Sequence, residues 1–173
     1  EKVKKLMEYG ANINAKNNDG DTALMWASEK GHFEIVKYLV QNGANVNIQN
    51  NYGDTALNKS LELINFIHHR DEALTISEYL IDNGADINEN SFTFHLIKER
   101  IYEALELGSY KVVKFLVDKG VDINYKGFAF GYACKSGNLE LVKYLVKNVL
   151  DINPNKYEYG FDNPLNEAFK NGN

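Results

Sequence analysis

One pentapeptide recurs along the chain and constrains its fold more than any other feature. It reads Gly10-Ala11-Asn12-Ile13-Asn14, then Gly43-Ala44-Asn45-Val46-Asn47, Gly84-Ala85-Asp86-Ile87-Asn88 and Gly120-Val121-Asp122-Ile123-Asn124. A degraded copy follows at Val149-Leu150-Asp151-Ile152-Asn153. Successive copies start 33, 41, 36 and 29 residues apart, so the unit is about 33 residues long, with insertions of eight and three and a deletion of four. Self-similarity at that period means a stack of supersecondary units, each too small to bury its own apolar face.

The segments before the pentapeptides share a pattern. Ile35, Val36, Leu39 and Val40 alternate with Glu34, Lys37 and Gln41; Val112, Val113, Leu116, Val117 and Leu141, Val142, Leu145, Val146 repeat the spacing. Apolar residues at i, i+1, i+4 and i+5 make one stripe on a 3.6-residue helix. Gly43, Gly84 and Gly120 follow the last helical turn, where a left-handed C-terminal cap favours glycine. A shorter helix is expected ahead of each, opened by Thr22-Ala23-Leu24, Thr55-Ala56-Leu57 or Asn163-Pro164-Leu165. Asn18-Asp19-Gly20-Asp21 and Asn51-Tyr52-Gly53-Asp54 read as tight turns before the first two of these.

Residues Asn18 to Asn47 resemble the ankyrin repeat family, whose 33-residue unit carries a Thr-Pro-Leu-His-x-Ala signature. Here that signature is Thr22-Ala23-Leu24-Met25-Trp26-Ala27, with Pro and His both replaced, whereas Gly31-His32-Phe33-Glu34-Ile35-Val36 and the pentapeptide fit closely. The resemblance covers essentially the whole chain. It implies an all-α ankyrin-repeat solenoid of stacked helix-turn-helix units joined by β-turn or hairpin-like loops. One domain over 1–173 is expected: a partial repeat (1–17), a repeat (18–50), a repeat with insertion (51–88), an irregular repeat (89–124), a shortened repeat (125–153) and a partial repeat (154–173). At the start, Val3, Leu6 and Met7 form a second helix without its first; at the end, Leu165, Ala168 and Phe169 form a first helix without its second. The chain is therefore expected to be a fragment of a longer array.

Three irregularities stand out. The insertion between Ser60 and Glu72 is expected to lengthen the first helix of its unit and widen the following loop. Glu89–Glu103 lacks the turn-Thr-x-Leu pattern and reads as an extended helix through Phe94, Ile97 and Ile101. The next unit is shortened near Tyr125-Lys126-Gly127. Each is either a contact point or drift of the kind loops tolerate.

Catalytic chemistry finds little support. His32, His68, His69 and His95 contain no i, i+4 pair, and no cysteine lies at zinc-like spacing. No glycine-rich phosphate loop occurs. A non-enzymatic chain without cofactor or metal is expected. His32 is assigned a structural role, His68 and His69 a surface loop, and Cys134 a buried apolar position. Tyr38, Tyr79, Phe115 and Tyr144 recur at one helical position and read as packing residues; Trp26 is expected to pack in the core near the inner surface.

A net charge of −5 argues against a nucleic-acid partner, which needs clustered Lys and Arg. No apolar run reaches the roughly 18–20 residues of a membrane span. The lone cysteine suits a reducing compartment, cytoplasmic or, for a secreted effector, the host cytoplasm. The resemblance implies a protein partner on the concave face, which maps onto turn residues Asn18, Asp19, Asp21, Asn51, Tyr52 and Asp54 and first-helix residues Met25, Glu29, Lys30, Asn58 and Glu62. Three of the turn residues are acidic, so either the partner carries a basic patch or these aspartates keep the turns soluble and well formed. A monomeric interaction module is expected. The rival readings are the targeting arm of an enzyme or effector whose catalytic domain lies elsewhere, and a passive spacer.

Overall fold

Thr22 has extended backbone and its hydroxyl accepts the N–H of Met25 at 3.3 Å, which starts the first helix, α1 (Ala23–Glu29). The same arrangement 33 residues later, Thr55 accepting from Asn58, starts α3 (Ala56–Glu62). Satisfying a free helix N-terminus in this way contributes roughly 1 kcal/mol. The structure is a computed structural model that describes residues 5, 9–65, 67–88, 101–123 and 129–148, and these hold helices and turns but no strand. Of the expected helices, Val3, Leu6 and Met7, Phe94 and Ile97, and residues 163–169 lie outside the described residues, while Ile101 is helical; His95, the Tyr125-Lys126-Gly127 turn and the degraded pentapeptide at 149–153 also lie outside.

The chain divides into two compact units, Glu1–Ile97 and Lys98–Asn173. In the first, α1 is followed by α2 (Phe33–Gln41), and α3 by α4 (Arg70–Asp82). α3 packs against α1 and α4, and α2 against α1 and α4. The apolar stripes read from the sequence meet here: Leu24, Val36, Leu39, Leu57, Leu61, Ile76 and Leu80 are buried. Each such side chain contributes about 1.5–3 kcal/mol on leaving water. In the second unit, helical residues 101–106 precede α5 (Tyr110–Asp118), α6 (Ala129–Ser136) and α7 (Leu139–Asn148). Ile101, Leu105, Val112, Val113, Leu116, Ala133, Leu141 and Leu145 form its buried set. Among the described residues no helix is long and apolar enough to cross a membrane.

The pentapeptide glycines do what their position demands. Gly43, Gly84 and Gly120 have φ of +88°, +77° and +79°. Each ends its helix with a paired backbone closure, Gly43 N–H to Val40 O and Ala44 N–H to Leu39 O in the first case. Gly84 with Ala85 and Gly120 with Val121 repeat it.

The pentapeptide asparagines join one repeat to the next. Asn14 Oδ1 accepts the backbone N–H of Asn45 at 2.8 Å, and Asn47 Oδ1 accepts that of Asp86 at 2.7 Å. Aromatic rings extend the joint between successive second helices: Phe33 meets Tyr79 edge-on at 5.6 Å, and Tyr110 meets Tyr144 at 5.5 Å.

The insertion departs from expectation. α3 has seven residues, the same as α1, so the first helix is not lengthened. The added chain forms two 3-10 turns, Leu63–Asn65 and Ile67–His69, and extends the second helix to thirteen residues against nine in α2. Leu63 and Ile64 are buried, so the extra segment brings its own apolar anchors, and the first 3-10 turn packs against α3 and α4.

Candidate functional site

The turn tips are built by asparagines. Asn17 Oδ1 accepts the N–H groups of Asp19 and Asp21, and Asn50 Oδ1 accepts those of Tyr52 and Asp54. Backbone bonds Asn17 N–H to Asp21 O and Asn50 N–H to Asp54 O close each tip. The tips are then tied together: Asn51 N–H donates to Asp19 O at 2.9 Å and its side-chain amide to Asn18 O at 2.9 Å. Asn50 Nδ2 donates to Asp21 Oδ1 at 2.8 Å. Gly20, at φ +80°, sits where a Cβ would lie 2.8 Å from the Asn51 nitrogen, so the tips approach too closely for a side chain there.

On this frame the expected contact residues divide. Asn18, Asp19, Asn51 and Tyr52 are exposed, Tyr52 at 67%. Met25, Asp54 and Asn58 are buried, at 1%, 2% and 0%. Their burial has two causes, helix capping for Met25 and Asn58 and an ion pair for Asp54. Met25 and Asn58 stand at the third helical position and accept the N–H of the capping threonine, Thr22 to Met25 Sδ at 3.5 Å and Thr55 to Asn58 Oδ1 at 3.1 Å. They do the work of a capping box in place of the family's histidine. Asp54 holds Lys59, Oδ2 to Nζ at 3.3 Å. Asp21, half-buried, is taken up by Asn50.

Glu29, Lys30 and Glu62 come together. With Lys59, Leu63 and His69 they line a groove of about 530 Å³ at the C-terminal ends of α1 and α3. Glu29 pairs with Lys30 at 2.7 Å on the rim. Lys59 lies nearer to Asp54 than to Glu62, whose Oε2 is 4.0 Å away. Burial pushes the Glu62 carboxyl above the usual glutamate value; Lys59 opposes this, and Asp54 and Glu29 add to it. Burial works against the Lys59 ammonium, but Asp54 and Glu62 outweigh it and hold its pKa above the lysine norm.

Trp26 corrects the sequence reading. It is 47% exposed rather than packed in the core, and Lys30 Nζ lies 5.7 Å from its ring centre. Trp26 aligns with Lys59 at the 33-residue offset, and the Lys59 side chain is only 16% exposed, so the repeat register did not signal the exposure of Trp26. Lys59, Leu63 and His69 were missed as groove residues. The first belongs to a helix whose neighbour is set by stacking, and the other two lie in the insertion.

The remaining chemistry-bearing residues are plain. His68 and His69 are exposed in the second 3-10 turn. His32 is exposed at the N-cap of α2 and its side chain makes no cap bond; its backbone N–H reaches Ala27 O at 2.9 Å. Cys134 is buried, which raises its thiol pKa. Among the described residues, no three His, Cys, Asp or Glu are placed to hold a metal ion.

A family model described as ankyrin repeats, in three copies, matches residues 1–91 and 101–173. No curated protein sequence matches the chain. Among solved structures, the human ASB11 ankyrin repeat domain superposes with a TM-score of 0.52 at 23% identity, covering 99% of this chain and 72% of that one. That likeness concerns the fold.

Proposed function

The chain belongs to the ankyrin repeat family, whose repeats generally serve protein–protein interaction without catalysis, and we propose that it holds a partner protein on the face formed by its turn tips and first helices. The observation that carries this reading is Tyr52. A large aromatic side chain stands 67% exposed on a turn whose backbone is fixed by Asn50 and tied to the neighbouring tip. Such a residue offers contact area at low entropic cost, which is the profile of an interface anchor. Trp26, exposed on α1, is a second anchor of the same kind. The contact set is the exposed or half-exposed part of the expected one: Asn18, Asp19, Asp21, Asn51 and Tyr52 on the tips, Glu29, Lys30 and Glu62 on the helices. The reading takes the protein as a monomer, and the single buried thiol suits a reducing cytoplasm.

The test compares immobilised parent chain with Tyr52→Ala, Asp19→Asn, after the two are shown to unfold at the same urea concentration. A protein retained by the parent and lost from the variant supports the reading. Equal retention on both removes the tips from the interface.

A further inference from the structure

The groove between α1 and α3 is lined by two carboxylates, Glu29 and Glu62, and two ammonium groups, Lys30 and Lys59, and the buried Asp54 that draws Lys59 away leaves one negative charge over. On the rim, Lys30 Nζ lies 2.7 Å from Glu29 Oε1, which leaves Glu29 Oε2 outside that contact. Lys59 is drawn to the buried Asp54 at 3.3 Å and reaches Glu62 only at 4.0 Å. Glu62 is left with a carboxylate that is mostly out of water, its side chain 29% exposed, beside two further negative groups, Asp54 and Glu29. Leu63, from the insertion, forms an apolar wall alongside. A half-buried carboxylate with this much negative company is stabilised by a cation that enters from outside. The volume, about 530 Å³, accommodates one long side chain.

We infer that this groove receives a basic side chain, arginine or lysine, from an extended segment of the partner, with an apolar neighbour lying on Leu63 and the exposed Trp26 ring. The inference rests on the interaction-module reading and specifies what that module recognises. Arginine fits best, because its planar fork donates to two carboxylates at once, and both Glu62 and Glu29 line the groove. The exposed Trp26 extends the same surface, since Lys30 both lines the groove and lies over the indole. Charge complementarity therefore selects the occupant, and the aromatic face holds its apolar flank.

Trp26 is the chain's one tryptophan and reports on this surface directly. The probe is a blocked peptide of alternating leucine and arginine, titrated against the parent by Trp26 fluorescence and by calorimetry. Its control carries citrulline, a neutral near-isostere, in place of arginine. The arginine peptide is expected to bind about tenfold tighter than the citrulline peptide, and Glu62→Gln to reduce that preference to about twofold or less. Glu34→Gln, on the exposed side of α2, is expected to keep it. Equal binding of the two peptides, a preference that survives Glu62→Gln, or no binding of either at millimolar concentration overturns the inference. Failure of the parent reading looks different: it is the equal retention of captured protein on the tip variant. A tip-dependent partner with no arginine preference leaves the module standing and removes only the groove's specificity.

Discussion

Asn47 fastens one repeat to the next by holding the backbone of Asp86: its Oδ1 accepts the Asp86 N–H at 2.7 Å while its Nδ2 donates to Gly84 O at 3.0 Å. The two bonds bracket the turn that ends α4, so a side chain 39 positions away in sequence sets where that turn lies. Asn47→Ala removes both and leaves the turn groups to water, since the site is exposed. A loss of about 1 kcal/mol is expected, read as a lower urea midpoint. Asn47→Asp keeps the acceptor, loses the donor, and is expected to fall between the two.

Two glycines of similar backbone conformation separate strain from collision. Gly43, at φ +88°, has nothing within 4 Å of an added Cβ, so Gly43→Ala meets only the left-handed backbone penalty of roughly 1–2 kcal/mol. Gly20, at φ +80°, would place a Cβ 2.7 Å from Asn51 Oδ1 and 2.8 Å from its nitrogen. Gly20→Ala is expected to be the more destabilising of the pair. Thermal unfolding of both variants decides it; equal losses would mean that the tips separate without cost.

The substitution Asn58→Leu tests the capping role. The side chain is fully buried, and its Oδ1 accepts both the backbone N–H and the hydroxyl of Thr55, at 3.1 Å and 2.8 Å. Leucine fills a similar volume but strands the Thr55 N–H in a buried place, at a cost of about 1–3 kcal/mol. Partner binding through the exposed tips is expected to persist at temperatures where the variant remains folded.

Glu62 gives a pH dependence with a definite sign. Its carboxyl is raised by burial, with Asp54 and Glu29 adding and Lys59 opposing, so the folded chain holds the proton more tightly than the unfolded chain. Glu62's contribution is therefore fully present below the ordinary glutamate value of 4.5 and is lost as pH rises through its raised folded value. Glu62→Gln is expected to raise the melting temperature at about pH 7, with the gain shrinking as the pH falls toward the ordinary glutamate range. A midpoint lowered at neutral pH would show that the Lys59 pairing dominates. Together with the peptide titration, the expected pattern is a variant that is more stable and less able to discriminate arginine.

Much of this architecture could be read directly from residues. The 33-residue period, the i, i+1, i+4, i+5 stripes and the glycines after them depend on local geometry alone. The threonine caps at Thr22 and Thr55 and the turns at 18–21 and 51–54 are also local, although the side chains that close those turns, Asn17 and Asn50, stand one residue earlier than the turns as read. A lengthened first helix is not found because length alone does not say which element takes up extra residues; Leu63 and Ile64, buried in a segment packed against α3 and α4, accompany 3-10 turns and a longer α4 instead.

The candidate site was legible only in part, because accessibility is a property of neighbours rather than of sequence position. Tyr52 and Asp19 lie on tips whose exposure follows from the turn itself. Met25, Asp54 and Asn58 share a repeat register with contact positions, yet capping and a buried ion pair draw them inward. Trp26 goes the other way.

By itself, then, the sequence determined the period, the helix pairs, their caps and the family, all of which arise from interactions within about one unit. Tertiary structure decided which polar groups face water, how Asn14 and Asn47 join successive turns, and that Glu29, Lys59, Glu62 and Leu63 enclose one groove. Those outcomes need residues more than thirty positions apart to meet, and burial and charge balance exist only once stacking has brought them together.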